Sequence, residues 1–131
     1  MGAGALLWPF DGTLVELAGA NKPVICETYP EAYAHVGVRF RSGGSKRRAD
    51  DRRHATEGLL ARCNLHHIEL TEAMRRELEV GFGNNKDGED AFDAAIGLFG
   101  MIEVSEGRRL ASPEERRDRD WEGWILGQYR P

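Results

Sequence analysis

Cysteine is scarce in this sequence: 131 residues include two, Cys26 and Cys63. That scarcity excludes the disulfide frameworks that hold small secreted domains together. Cys26 lies in a strand-like run and Cys63 in a helix-like one, and both read as reduced packing residues. Long hydrophobic runs are missing as well. The longest, from Ala94 to Ile102, is interrupted by Gly97 and Gly100 and falls far short of the roughly 20 residues that span a bilayer. Basic surplus is also lacking, since the formal net charge is −4; any nucleic acid would have to be held by a local patch or by metal. The opening MGAGALLWPFDG has no basic start and soon meets Pro9 and Asp11, which is not the form of a secretory signal. These absences predict a cytoplasmic protein with no membrane partner.

Two further absences narrow the chemistry. His66 and His67 follow Cys63 by three and four residues, yet no second cluster completes a tetrahedral zinc set, so both read as structural or surface histidines. The glycine stretch RSGGSK lacks the spacing of a nucleotide loop and reads as a connector. There is no internal repeat.

What is present suffices for one modest core. Hydrophobic residues make up 40% of the chain, and the length predicts a single domain over 1–131. A strand and turn are expected from Ala5 to Phe10, ending at PFDG. VICETYP, from Val24 to Pro30, reads as a buried strand ending near Tyr29. A short helix follows over EAYAHVGV (31–38), with Pro30 suited to its start. A longer helix is expected from about Lys46 to Arg62. Thr71 reads as the N-cap of another, with Met74 and Leu78 four apart. A last helix begins near EDAFDAAIGLF (89–99) and runs to about Glu103. Trp8, Trp121 and Trp124 are expected at the edges of the sheet, with WEGWIL as a last strand or a segment closing over a site, and Glu122 as a weak ligand candidate. The charged stretch from Ser112 to Asp120 reads as a surface turn or short helix.

Asp90 and Asp93 stand out in that last helix. Asp87 can cap it and Asp90 can sit in its first turn, where the helix dipole favours negative charge by about 0.3–1 kcal/mol. Asp93 is surrounded by Phe92, Ala94, Ala95 and Ile96, and a buried carboxylate needs a partner. Residues three apart project from nearly one face, close enough for two carboxylates to share a divalent cation. Glu27 raises the same question in a strand, near the carboxyl end where α/β sheets gather ligands. Its plain alternative is an ion pair with a base such as Lys46. With Asp90 and Asp93 it makes an acidic set suited to Mg²⁺ or Mn²⁺.

The basic stretch SKRRADDRRH has two readings. As a helix it pairs Lys46 with Asp50 and Arg47 with Asp51 at i,i+4 on a solvated face. Alternatively Lys46, Arg47, Arg52 and Arg53 contact a nucleic-acid backbone.

LLWPFDG, CETYPEAY, EDAFDAAIGLF and EGWILG occur in the order found in a family of uncharacterised proteins, domain of unknown function 429, regarded as nucleases of the ribonuclease-H-like fold. The chain resembles the C-terminal portion of that family from Leu6 to Gly127. The resemblance implies an α/β fold, a partial ribonuclease-H-like domain with a small sheet flanked by helices, and two-metal phosphodiester hydrolysis. Glu27 matches the family's later-strand glutamate, and Asp90 with Asp93 its helical pair. The departure is at the front: the family's first strand carries an essential aspartate, and only Asp11, in a turn, stands near that place. Two functions follow. One is a metal-dependent nuclease using Glu27, Asp90 and Asp93 as metal ligands. The other is a catalytically incomplete binding or assembly module that forms a homodimer through an exposed sheet edge, expected along Leu6 to Phe10.

Overall fold

A computed structural model describes residues 4–28, 34–112 and 124–127. It is a mixed α/β fold that divides into two compact units, residues 1–29 with 101–131, and residues 30–100. One unit is small and carries the β-strands, and the other is helical.

In the β-containing unit, β1 (Leu6–Leu7) and β2 (Val24–Ile25) pair in parallel, with Leu6 beside Val24 and Leu7 beside Ile25. Between them lies α1 (Leu14–Ala18). Thr13 starts this helix with a capping box: its hydroxyl accepts from the Glu16 amide, and the Glu16 carboxylate accepts from the Thr13 amide at 2.8 Å. Those bonds hold the Glu16 carboxyl below its ordinary value. Leu17 and Trp8 are buried. The carbonyls of Pro23, Ile25 and Glu27, every second residue, accept from the amides of Leu6, Trp8 and Leu126. Glu27 therefore bridges Ile125, so the expected last strand is a single bridge in the described part of WEGWIL. Trp121, Glu122 and the stretch 113–120 lie outside the described residues.

In the helical unit, α2 (Ala49–Ala55) and α3 (Glu57–Leu65) replace the single long helix expected over 46–62. The break falls at Thr56, whose hydroxyl donates to the Arg53 carbonyl at 2.9 Å. Gly58 then lies against Gly37 so closely that a Cβ on Gly58 would sit 2.2 Å from the Gly37 oxygen. Thr and Gly are both weak helix formers, and each is used here for contact rather than propensity. The Thr71 cap appears as expected at the start of α4 (Glu72–Glu79), accepting from the Met74 amide at 3.1 Å. The last helix, α5 (Asp87–Ser105), has its first 14 residues in this unit. Asn85, rather than Asp87, caps it by accepting from the Gly88 amide at 3.0 Å. Only a single 3₁₀ turn at 34–36 is described of the short helix expected over 31–38. Phe92 is fully buried and meets Phe40 and Phe82 edge-on, with ring centroids 5.9 and 6.0 Å away.

α5 ends within the β-containing unit in a Schellman motif. Gly107, at φ 71°, donates to the Val104 carbonyl and Arg108 to that of Glu103. Among the described residues no helix is long and apolar enough to cross a membrane.

Candidate functional site

The acidic residues singled out in the sequence fall in two places. Asp90 and Asp93 lie on α5 in the helical unit, and Glu27 lies in the β-containing unit. Asp90 is exposed, as a first-turn carboxylate can be. Asp93 has the compensating charge its surroundings demand: Lys46 Nζ lies 2.7 Å from Asp93 Oδ2 and 3.5 Å from Glu89 Oε1. The ammonium therefore stands against the carboxylate oxygen that a cation would use. Among the described residues no three His, Cys, Asp or Glu side chains form a metal-holding group.

Both readings of the basic stretch need revision. Lys46 and Arg47 precede α2, outside the helix that the expected i,i+4 spacing assumes. Asp51 instead accepts from the Ser45 amide at 3.0 Å and from Arg48 Nε, bonds that lower its carboxyl below the ordinary value. Arg53 lies 3.7 Å from Asp50. Arg52, expected as a phosphate contact, is 1% exposed. Its guanidinium donates to three backbone carbonyls: Gly81 at 2.7 Å, Lys46 at 2.5 Å and Gly83 at 2.6 Å. Five planar N–H donors suit this use, because loop carbonyls converging from two directions find one rigid fork. The loop from Gly81 to Gly83 has positive φ at all three residues, and a Cβ on Gly81 would lie 2.0 Å from the Ala49 oxygen. Arg52 is thus a structural centre of the helical unit. Of the four expected phosphate contacts, Arg47 and Arg53 remain exposed.

The β-containing unit offers a different kind of surface. Leu7, Phe10, Val15, Ile25 and Leu110 are 48–86% exposed, so the expectation of a strand buried on both faces fails at Ile25. Its register with Leu7 puts both on one open face. Leu7, Phe10, Ile25, Cys26, Glu27 and Trp124 help line an open groove of about 400 Å³. Burial pushes the Cys26 thiol up from its ordinary value.

The two edges of this sheet are not alike. On β1, the Leu7 amide donates to Asp11 Oδ2 at 2.7 Å, and the Leu7 carbonyl accepts from the Asp11 amide at 2.9 Å. Asp11, the candidate stand-in for a first-strand ligand, is engaged in closing that edge, so the edge expected from Leu6 to Phe10 to pair with a second copy is filled at Leu7. On β2, alternation turns Val24 and Cys26 outward, and neither has a backbone partner on that side among the described residues. The edge closure by Asp11, the Glu89 contact and the Arg52 centre were missed from sequence. Only the TLVE capping box beside them carried a readable signal.

Comparison with protein-family models, with curated proteins and with solved structures finds no match to this chain.

Proposed function

We propose that this chain is a catalytically incomplete assembly module that forms a homodimer through the open edge of β2. The observation that carries this reading is the asymmetry of the sheet, with Asp11 filling the outer hydrogen bonds of β1 and nothing described filling those of β2. An unpaired edge recruits another strand. A sheet of two short strands gains most from doing so, because independent stability ordinarily needs three or more. The exposed apolar side chains beside the edge favour the same outcome, since a contiguous apolar patch is an interaction site by default. Cys26 and Cys63 form no disulfide with each other, which fits a reducing, cytoplasmic setting.

Light scattering tests the reading. The natural chain is expected at twice its 14.7 kDa mass, and Val24→Pro at the single mass with unchanged circular dichroism. Proline at 24 deletes an outward N–H and leaves the Leu6 to Pro23 bond in place. A monomeric natural chain contradicts the reading.

The second reading is a metal-dependent nuclease with a ribonuclease-H-like fold, acting on nucleic acid with Mg²⁺ or Mn²⁺ held by Glu27, Asp90 and Asp93. One observation favours it: Glu89, Asp90 and Asp93 gather on the early turns of α5. The Lys46 ammonium opposes it. Calorimetry with Mn²⁺ decides; micromolar binding lost in Asp93→Asn would restore the nuclease.

A further inference from the structure

We infer that the two copies pair antiparallel along β2 with Ile25 on the two-fold axis, so that Val24 of one copy exchanges both backbone bonds with Cys26 of the other. This rests on the dimer reading above and adds its geometry.

Three observations fix the arrangement. The first is the extent of the strand. Ladder carbonyls run from Pro23 to Glu27 and their midpoint is Ile25. Only a register centred there overlaps the whole segment with itself. The second is the parity of the edge. Val24 and Cys26 face outward, so an antiparallel partner must set outward residues opposite outward residues. Centring on Ile25 meets that condition, and Ile25 then faces its own copy in a pair without hydrogen bonds, where side chains come closest. Ile25 is 54% exposed and Leu7, beside it in register, 48%. Across the axis they form one apolar row, Leu7 and Ile25 of one copy followed by Ile25 and Leu7 of the next.

Charge is the third. The segment KPVICE begins with Lys22 and ends with Glu27. Both are exposed, and neither has an ion-pair partner among the described residues. Antiparallel pairing brings Lys22 of each copy to the end of the strand where the other carries Glu27. Parallel pairing would gather like charges at both ends. A shift of two residues toward the C-terminus would oppose Cys26 to Cys26 and leave Lys22 beyond the paired segment.

Disulfide trapping reads the register directly. Opposed residues in a pair without hydrogen bonds have Cα atoms about 4.5 Å apart, within the range a disulfide spans. In a Cys26→Ser background, Ile25→Cys is expected to convert mainly to covalent dimer under mild oxidation, while the natural chain, with Cys26 facing Val24, stays reduced at that position. A natural chain that crosslinks through Cys26, or a dimer by light scattering in which Ile25→Cys does not crosslink, overturns the axis and leaves the dimer standing. A monomer by light scattering overturns both.

Discussion

The helical unit and the β-containing unit use the same kinds of residue in opposite ways. In the helical unit Val36, Val38, Leu59, Leu78 and Phe92 are all sealed, and even an arginine is fully buried because three carbonyls meet its donors. In the β-containing unit Trp8 and Leu17 are sealed, but Leu7, Phe10, Val15 and Ile25 lie open. Its sheet is two residues deep with one edge closed by a carboxylate. The helical unit also exposes Leu65, Val80 and Leu98, but on separate elements and away from any strand edge of its own among the described residues. A unit that leaves both a backbone edge and an apolar face in water is built to acquire a partner.

The comparison breaks most severely at Arg52. Arg52→Met leaves three inward carbonyls without the guanidinium donors, and at the low end of about 1–3 kcal/mol each the helical unit is expected to lose roughly 3 kcal/mol or more in urea unfolding. If Arg52→Met unfolds like the natural chain, the guanidinium is not the centre of that unit. Next comes the closed edge of β1. Asp11→Ala frees the Leu7 N–H, while the Leu7 carbonyl keeps its bond from the backbone amide of residue 11, and light scattering is expected to show species heavier than a dimer at high concentration. An unchanged mass would mean that Asp11 guards nothing.

The helix set was legible where local chemistry decides it. The Thr71 cap and the apolar run after Phe92 gave α4 and α5 nearly to the residue, because capping and periodicity are local. The same chemistry was present in Thr13 and Glu16 and overlooked, which cost α1. The division of 46–62 into two helices was not legible, since it depends on Gly58 meeting Gly37 across 20 residues of chain. At the candidate site, the demand of Asp93 for a partner was readable from its apolar neighbours. That Lys46 lies against it was not, because a turn-to-helix pairing 47 residues apart leaves no local trace. Equally, no periodicity tells which of two sheet edges a turn carboxylate will close.

Smaller effects sharpen the contrast. Lys46→Met leaves Asp93 partly buried without its ammonium and is expected to cost about 1 kcal/mol, reduced by the solvent that still reaches the pair. Asp93→Asn in the same chain should then add little further cost, a coupling that a double-mutant cycle measures. The smallest effect is acid sensitivity. Asp51 and Glu16 have carboxyls lowered from ordinary values of 3.8 and 4.5. A lowered folded value means that their contribution is complete above those ordinary values and is lost as pH falls through the lower folded ones. Asp51→Asn should therefore flatten the stability profile below about pH 4. A profile identical to that of the natural chain would show that the Ser45 and Arg48 bonds do not outlast solvent competition.

Amide hydrogen exchange at Val24 and Cys26, followed at two protein concentrations, tests the open edge most directly. The Trp8 amide, bonded to the Ile25 carbonyl at 3.0 Å, serves as the internal reference. Val24 and Cys26 are expected to be protected in concentrated solution and to exchange freely on dilution while Trp8 keeps its protection. Fast exchange of Val24 and Cys26 at both concentrations would contradict it.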